Sequence, residues 1–448
     1  MMSPIGGSGS SGGGVGSASG SSPRTIHQLA GPTRVMNPMI ASVMSTGSTE
    51  YPGSPAPTSV FCGPGSGSSG SVVAGSSGSV SSGSGSVSGD DGDRVSWYRL
   101  RMTGDATGRS GGMVCAHHHL YSALARGMPA PPGTPTDFAS ILDLVWWRLD
   151  RALDLEMLEW SAKLAAVEAL EVGCTAIVDH HESPNAIEGS LSVIADACAE
   201  VGVRVSCAYG VTDRHGADGA RRGLEENDRY LRDGGRGMVG VHAAFTCTDD
   251  TLAAAAELAQ RHGVGVHVHV AEGVDDLGAA DRLRPLTTAA WLLIHGVHLD
   301  DEHGLAGTIV HNPRSNMNNA VGYARPTRFA NPVALGTDGI GASMLDEFRL
   351  AFVRHREDDV TATPDSAWSW LQGGYDLVPE ARTDVVVWSY PTIDPWHLAY
   401  TTSVRPLRVE IDGREVLADG VVTTVDPDEV RAKAAEQAQR LFRALDDL

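Results

Sequence analysis

The stretch Met113-Val-Cys-Ala-His117-His118-His119-Leu120 is a short apolar run that closes on three consecutive histidines. Side chains on a strand alternate between faces, so His117 and His119 point one way and His118 the other. Two imidazoles on one face, two positions apart, can reach a single metal ion. Any other pairing in the run divides the ring nitrogens between the two faces.

Past this run, short apolar, often β-branched stretches alternate with helical patterns. The expected strands are 113–116, 175–178, 204–209, 238–241, 264–270, 291–294, 307–310 and 332–335. Amphipathic helices are expected over 156–172, 187–201, 217–232 and 251–262, with Gly202 and Gly263 as left-handed C-caps of the second and fourth. Eight strands separated by helices predict an α/β fold, a (β/α)8 TIM barrel. A helix over 348–356 follows, then strands within 384–390 and 407–422 that turn at Asp412-Gly413, and a final helix over 427–448 that packs on the barrel.

Four regions are expected. Residues 1–94, dominated by Gly and Ser, bury too little apolar surface to offset the entropy of ordering and are expected to be disordered. Residues 95–383 form the barrel, 384–426 a partial β-sandwich, and 427–448 the C-terminal helix.

The net charge of −21, with only Lys163 and Lys433 besides arginine, argues against nucleic acid or an anionic membrane as partner. Six scattered cysteines without a C-x-x-C pair fit a reducing cytoplasm. No signal peptide or membrane span is expected. A homo-oligomer stays open.

In this fold, functional groups sit where strands end. The strand ends read His117 and His119; Asp179-His180-His181; Tyr209 with Asp213 beyond it; His242; His267 and His269; His295; His311; and Asp338. Six of eight carry histidine, which a structural role does not explain. The most specific elements are His117-x-His119, His267-x-His269-x-x-Glu272, and the apolar run into Asp338. Three neutral imidazoles and a carboxylate suit one divalent ion, zinc first, with iron or manganese as alternatives. Water in an open coordination position has its pKa lowered toward ~7, and Glu272 can shuttle a proton to a leaving nitrogen.

The motifs resemble the amidohydrolase superfamily, in the branch of chlorohydrolases and heterocycle deaminases, nearest to the SsnA-like aminohydrolases. The stretches that carry this are Ala116-His-His-His-Leu-Tyr-Ser-Ala-Leu-Ala-Arg-Gly127, Val178-Asp-His-His-Glu-Ser-Pro-Asn-Ala-Ile-Glu-Gly-Ser190, Val211-Thr-Asp-Arg214, Gly223-Leu-Glu-Glu-Asn227, His242-Ala-Ala-Phe-Thr246, His311-Asn-Pro-Arg-Ser-Asn316 and Leu335-Gly-Thr-Asp-Gly339. The resemblance implies His117, His119, His269 and Asp338 as metal ligands, Glu272 as proton shuttle, and His295 as the residue polarising the substrate. Asp338 also helps deprotonate the water, and His242, His311 and Asn316 contact the substrate. His180 and His181 match the SsnA-like pattern without an assigned role. Dinuclear members carry a bridging lysine at the fourth strand, where this chain has His242, so one ion is expected.

The implied reaction is hydrolysis of a non-peptide C–N bond through a metal-bound hydroxide, as in deamination of a nitrogen heterocycle. Hydrolytic dechlorination, cyclic-amide hydrolysis and a catalytically impaired metal-binding barrel are the alternatives. Two departures from the family stand out. Its N-terminal sandwich strands are replaced by the Gly/Ser-rich stretch, leaving 95–102 as the one candidate strand there, and 357–378 is short of helices. Residues 1–94 are therefore expected not to be the ancestral N-terminus.

Overall fold

The computed structural model describes residues 108–448. The expectations of disorder over 1–94 and of a strand over 95–102 lie outside the described residues. From Gly108 the strands run β1 (Gly108–Ser110), β2 (Met113–His118), β3 (Cys174–Asp179), β4 (Arg204–Ser206), β5 (Gly210–Val211), β6 (Val239–Ala243) and β7 (Val266–Val270). They continue as β8 (Leu292–His295), β9 (Thr308–His311), β10 (Val333–Leu335), β11 (Val385–Trp388), β12 (Pro406–Ile411), β13 (Arg414–Ala418) and β14 (Val421–Val422).

A parallel strand covered on both faces needs apolar residues at nearly every position. Strands β2, β3, β7, β8 and β9 are buried along their whole length. Strands β5 to β10 form one parallel sheet in sequence order, and β2, β3 and β4 another. Strands β4 and β5 are two halves of one barrel position. Across their break, Cys207 N–H donates to Arg236 O, Met238 N–H to Cys207 O, and His181 N–H to Ala208 O, at 2.8–3.1 Å. The ring closes between β10 and β2, where the amides of Thr337 and Asp338 both donate to the His117 carbonyl at 3.0 and 3.1 Å. The eight positions make the (β/α)8 barrel.

The helices that cover it include α1 (Leu155–Glu171), α2 (Ser190–Val201), α3 (Gly216–Arg232), α4 (Asp249–His262), α5 (Pro313–Asn318), α6 (Met344–Asp358), α7 (Pro364–Gln372) and α8 (Pro427–Asp446). The Asp154 side chain caps the start of α1 and Thr248 that of α4, each accepting an amide of the first turn. Gly202 and Gly263 end α2 and α4 at φ 102° and 68°, as the sequence predicts. Ala434, Leu441 and Leu445 of α8 bury with Leu158 and Tyr121, and Val430 joins the larger helix-side core.

Two layers of core follow from strand alternation. Ile177, Val241, Val268, Leu293 and Ile309 face the helices. Val114, Ala116, Ala176, Val178, Leu292, Ile294, Val310 and Ala334 cluster together on the inner side, with Tyr375 and Ala381 against them. The inner set is small or branched, and the bulky histidines lie above it.

A second, antiparallel sheet has the order β1-β11-β12-β13-β14. The β12–β13 hairpin turns at Asp412-Gly413, both at positive φ (52° and 77°), as the sequence predicts. Strand β1 lies within the region 95–383 that the sequence assigns to the barrel, yet it joins this second sheet. It pairs with β11, and its Ser110 hydroxyl accepts from Trp388 Nε1 at 2.8 Å. Arg204 of β4 ties the barrel to this sheet through a bidentate pair with Asp384 (2.5 and 2.8 Å) and a contact to Asp412 (2.5 Å). The helix α7 and the helical segment 138–152 were not predicted, because neither has a long apolar repeat.

Candidate metal centre and cavity

His117 and His119 reach the barrel mouth from β2, His269 from β7, and Asp338 from just past β10. Their donor atoms all lie within 4.8 Å of one another. The convergence needs more than alternation. Between Cys115 and His118, strand β2 uses three steps where β3 uses two, from Ile177 to Asp179. This bulge re-aims His117, since Cys115 two residues earlier belongs to the helix-side core. His118 points elsewhere and takes the His119 amide on its Nδ1 at 2.7 Å.

Each imidazole has its outer nitrogen engaged. His119 Nδ1 donates to the His180 carbonyl and His269 Nδ1 to the His242 carbonyl, both at 2.6 Å. His117 Nδ1 shares a proton with His267 Nε2 at 2.8 Å. Such partners fix the tautomer and leave Nε2 free toward the centre. Asp338 Oδ1 stands 3.3 Å from His117 Nε2 and 2.9 Å from His119 Nε2, and Oδ2 accepts from the Ser315 hydroxyl. Burial drives His117 well below the usual imidazole range. For Asp338, burial pushes upward, but the His117 and His119 rings beside it prevail and hold it well below the carboxylate range.

Glu272 and His295 form the next layer, with Glu272 Oε2 3.3 Å from His295 Nε2. His295 Nδ1 donates to Asn316 Oδ1 at 2.7 Å, which leaves Nε2 as the acceptor. Burial first, and then the Asp338 charge, raise Glu272 well above the carboxylate range. Asp338 (φ 57°) and His295 (φ 72°) occupy the left-handed region, a strain of roughly 1–3 kcal/mol each.

The cavity over this centre encloses about 690 Å³, its mouth included. Trp146, Trp147, Phe138 and Phe245 give it aromatic walls. The two tryptophans, adjacent in sequence, both line the cavity where a π-helical turn, Leu142–Trp146, runs directly into the helix Trp147–Ala152. His242 lines the cavity with Nδ1 held by Thr246 Oγ1 at 2.9 Å.

His311 and Asn316 do not line it. Val310 faces the barrel interior, so His311 falls on the helix side, its ring 6.0 Å from that of Trp370. Asn316 acts on His295 instead. His180 does line the cavity, its ring 4.7 Å from that of His269. It fits because position 210 is glycine: a Cβ there would lie 2.5 Å from His180 Cε1. His181 turns away to Ser183 Oγ at 2.7 Å. Lys163 is bound on α1 to Glu159 and Glu200, away from the centre.

Sequence reading did not single out His267 as the partner of His117, or Ser315, Trp146, Trp147 and Asp150. Nor did it single out Glu182 and Arg214, although both fall inside motif stretches quoted above.

Residues 111–370 match the amidohydrolase family. Over 384 residues the chain is 28% identical to a 5'-deoxyadenosine deaminase of Methanopyrus kandleri, covering 74% of this chain and 86% of that protein. The fold is similar to that of a zinc-bound adenosine deaminase of Xanthomonas campestris (TM-score 0.63, 21% identity, 75% and 86% covered). It is also similar to a zinc complex of an atrazine chlorohydrolase of Arthrobacter aurescens (TM-score 0.59, 18% identity, 74% and 88% covered).

Proposed function

Because the chain belongs to the amidohydrolase family, we propose that its cavity hydrolyses the bond between a heterocycle carbon and an exocyclic amine, releasing ammonia. The observation that carries this reading is the four-donor cluster with Glu272 and His295 directly beside it.

The donor set fits a divalent metal. His117 Nε2 is buried without a hydrogen-bond partner, and three imidazoles with one carboxylate suit zinc. His117, His119, His269 and Asp338 would hold the ion. When bound, zinc supplies the Lewis acidity that makes water nucleophilic near neutral pH.

The chain's own groups do the rest. The aromatic walls clamp a flat ring, and His242 meets its edge. Asp338 accepts a proton as water adds to the amine-bearing carbon. Glu272 gives its proton to the nitrogen as the C–N bond breaks and ammonia leaves. His295, oriented by Asn316, steadies the oxygen that was added. The family relationship to deaminases favours an amine over chloride as leaving group, and Glu272 beside the donor cluster is placed to protonate a departing nitrogen, which chloride does not need.

Glu272→Gln tests the assignment. Ammonia release from aminopurines should fall about 10²–10⁴-fold while zinc content stays near one per chain. Loss of zinc in that variant would make Glu272 a ligand and overturn its role.

A further inference from the structure

Six carboxylates line the cavity, and no lysine or arginine among the described residues does. Four have visible uses or lie in water. Asp338 is one of the metal donors, and Glu272 faces His295. Asp276 accepts the amides of Phe245 and Ala271 at 3.0 and 2.8 Å, and Asp275 is exposed at the mouth. Asp150 and Glu182 remain, each 2% exposed.

One guanidinium serves both. Arg214 bonds Glu182 Oε1 and stands 3.4 Å from Asp150 Oδ2, with its plane 4.4 Å from the Trp147 ring. The other neighbouring base, His215, is 3.4 Å from the same Glu182 oxygen. Asp150 Oδ1 is buried and makes no hydrogen bond of normal geometry, with the Tyr121 hydroxyl as the nearby side-chain donor. A buried carboxylate oxygen without a well-formed hydrogen bond is costly, and a ligand that brings one removes that cost.

We infer that this end of the cavity receives a positively charged substituent, an ammonium or amidinium, on the substrate ring. This rests on the cavity being the site of heterocycle hydrolysis proposed above. Asp150 and Glu182 are then specificity-determining residues. Phosphorylated or carboxylated substrates are disfavoured at this end, because no lysine or arginine lines the cavity among the described residues.

The test is binding, read by calorimetry on the zinc-loaded full chain carrying Glu272→Gln, so that turnover does not intrude. The probes are 9-(3-aminopropyl)adenine and its neutral counterpart 9-butyladenine. The ammonium probe should bind about tenfold more tightly. Asp150→Asn and Glu182→Gln should each bring the ratio of the two affinities toward one. The ratio is the readout, because general loosening of the cavity weakens both probes alike. Should Asp150→Asn lose its cooperative thermal transition, Glu182→Gln carries the test. A ratio at or below one in the parent, or a ratio that the folded variants leave unchanged, overturns the inference. If neither purine binds, the heterocycle reading is what fails. Benzamidine against benzamide then reads the acidic end by itself, with the same ratio criterion.

Discussion

The cavity has two walls of different origin. One is built by histidines on strand ends, where each ring is held by a partner: His117 by His267, His119 by the His180 carbonyl, and His269 by the His242 carbonyl. The other is built by the segment 138–152, where Trp146 and Trp147 are only partly buried and owe their positions to a π-helical turn. The first wall has the hydrogen-bonded support that an ion requires, and the second is the wall proposed to clamp the ring. Chemistry and selectivity are thus separable by mutation.

The sharpest break between them comes from His269→Ala. Zinc content should fall from about one per chain toward zero, with ammonia release reduced on the order of a thousandfold, checked by metal analysis beside turnover. His267→Ala removes only the support of His117. Zinc should still bind, with affinity lowered about 10–100-fold in a competition with a chelating dye. On the opposite wall, Trp147→Ala should leave zinc stoichiometry intact and raise KM about tenfold, as one face of the ring clamp is lost. Metal loss in that variant would dissolve the distinction. The smallest change is Gly210→Ala, which presses on His180 from behind. It should cost about 1–3 kcal/mol of stability in a denaturant titration, with the larger loss of function appearing in KM.

The strand-built wall was largely legible in the sequence, because a parallel strand converts spacing into direction. His117-x-His119, His269-x-x-Glu272 and the lone Asp338 could be placed at one rim before any coordinates. The same logic, carried one residue further, would have placed His311. Once Val310 is known to face inward, its neighbour must face the helices. What no periodicity reveals is the register slip after Cys115, or a π turn that brings two adjacent tryptophans into one cavity. Nor does composition disclose that Gly108–Ser110 completes the C-terminal sheet. These features depend on partners distant in the chain, and the residues involved are ordinary in isolation.

Closure of the barrel between β10 and β2 rests on little backbone pairing: two amides on the His117 carbonyl and a single bridge between His118 and Asp338. The residues on either side of that seam are the proposed ligands His117, His119 and Asp338. An ion held there is a rivet across the joint where the first and last staves of the barrel meet. The centre that carries the chemistry thereby also guards the circumference. Losing the ion would leave that joint to its sparse backbone pairing.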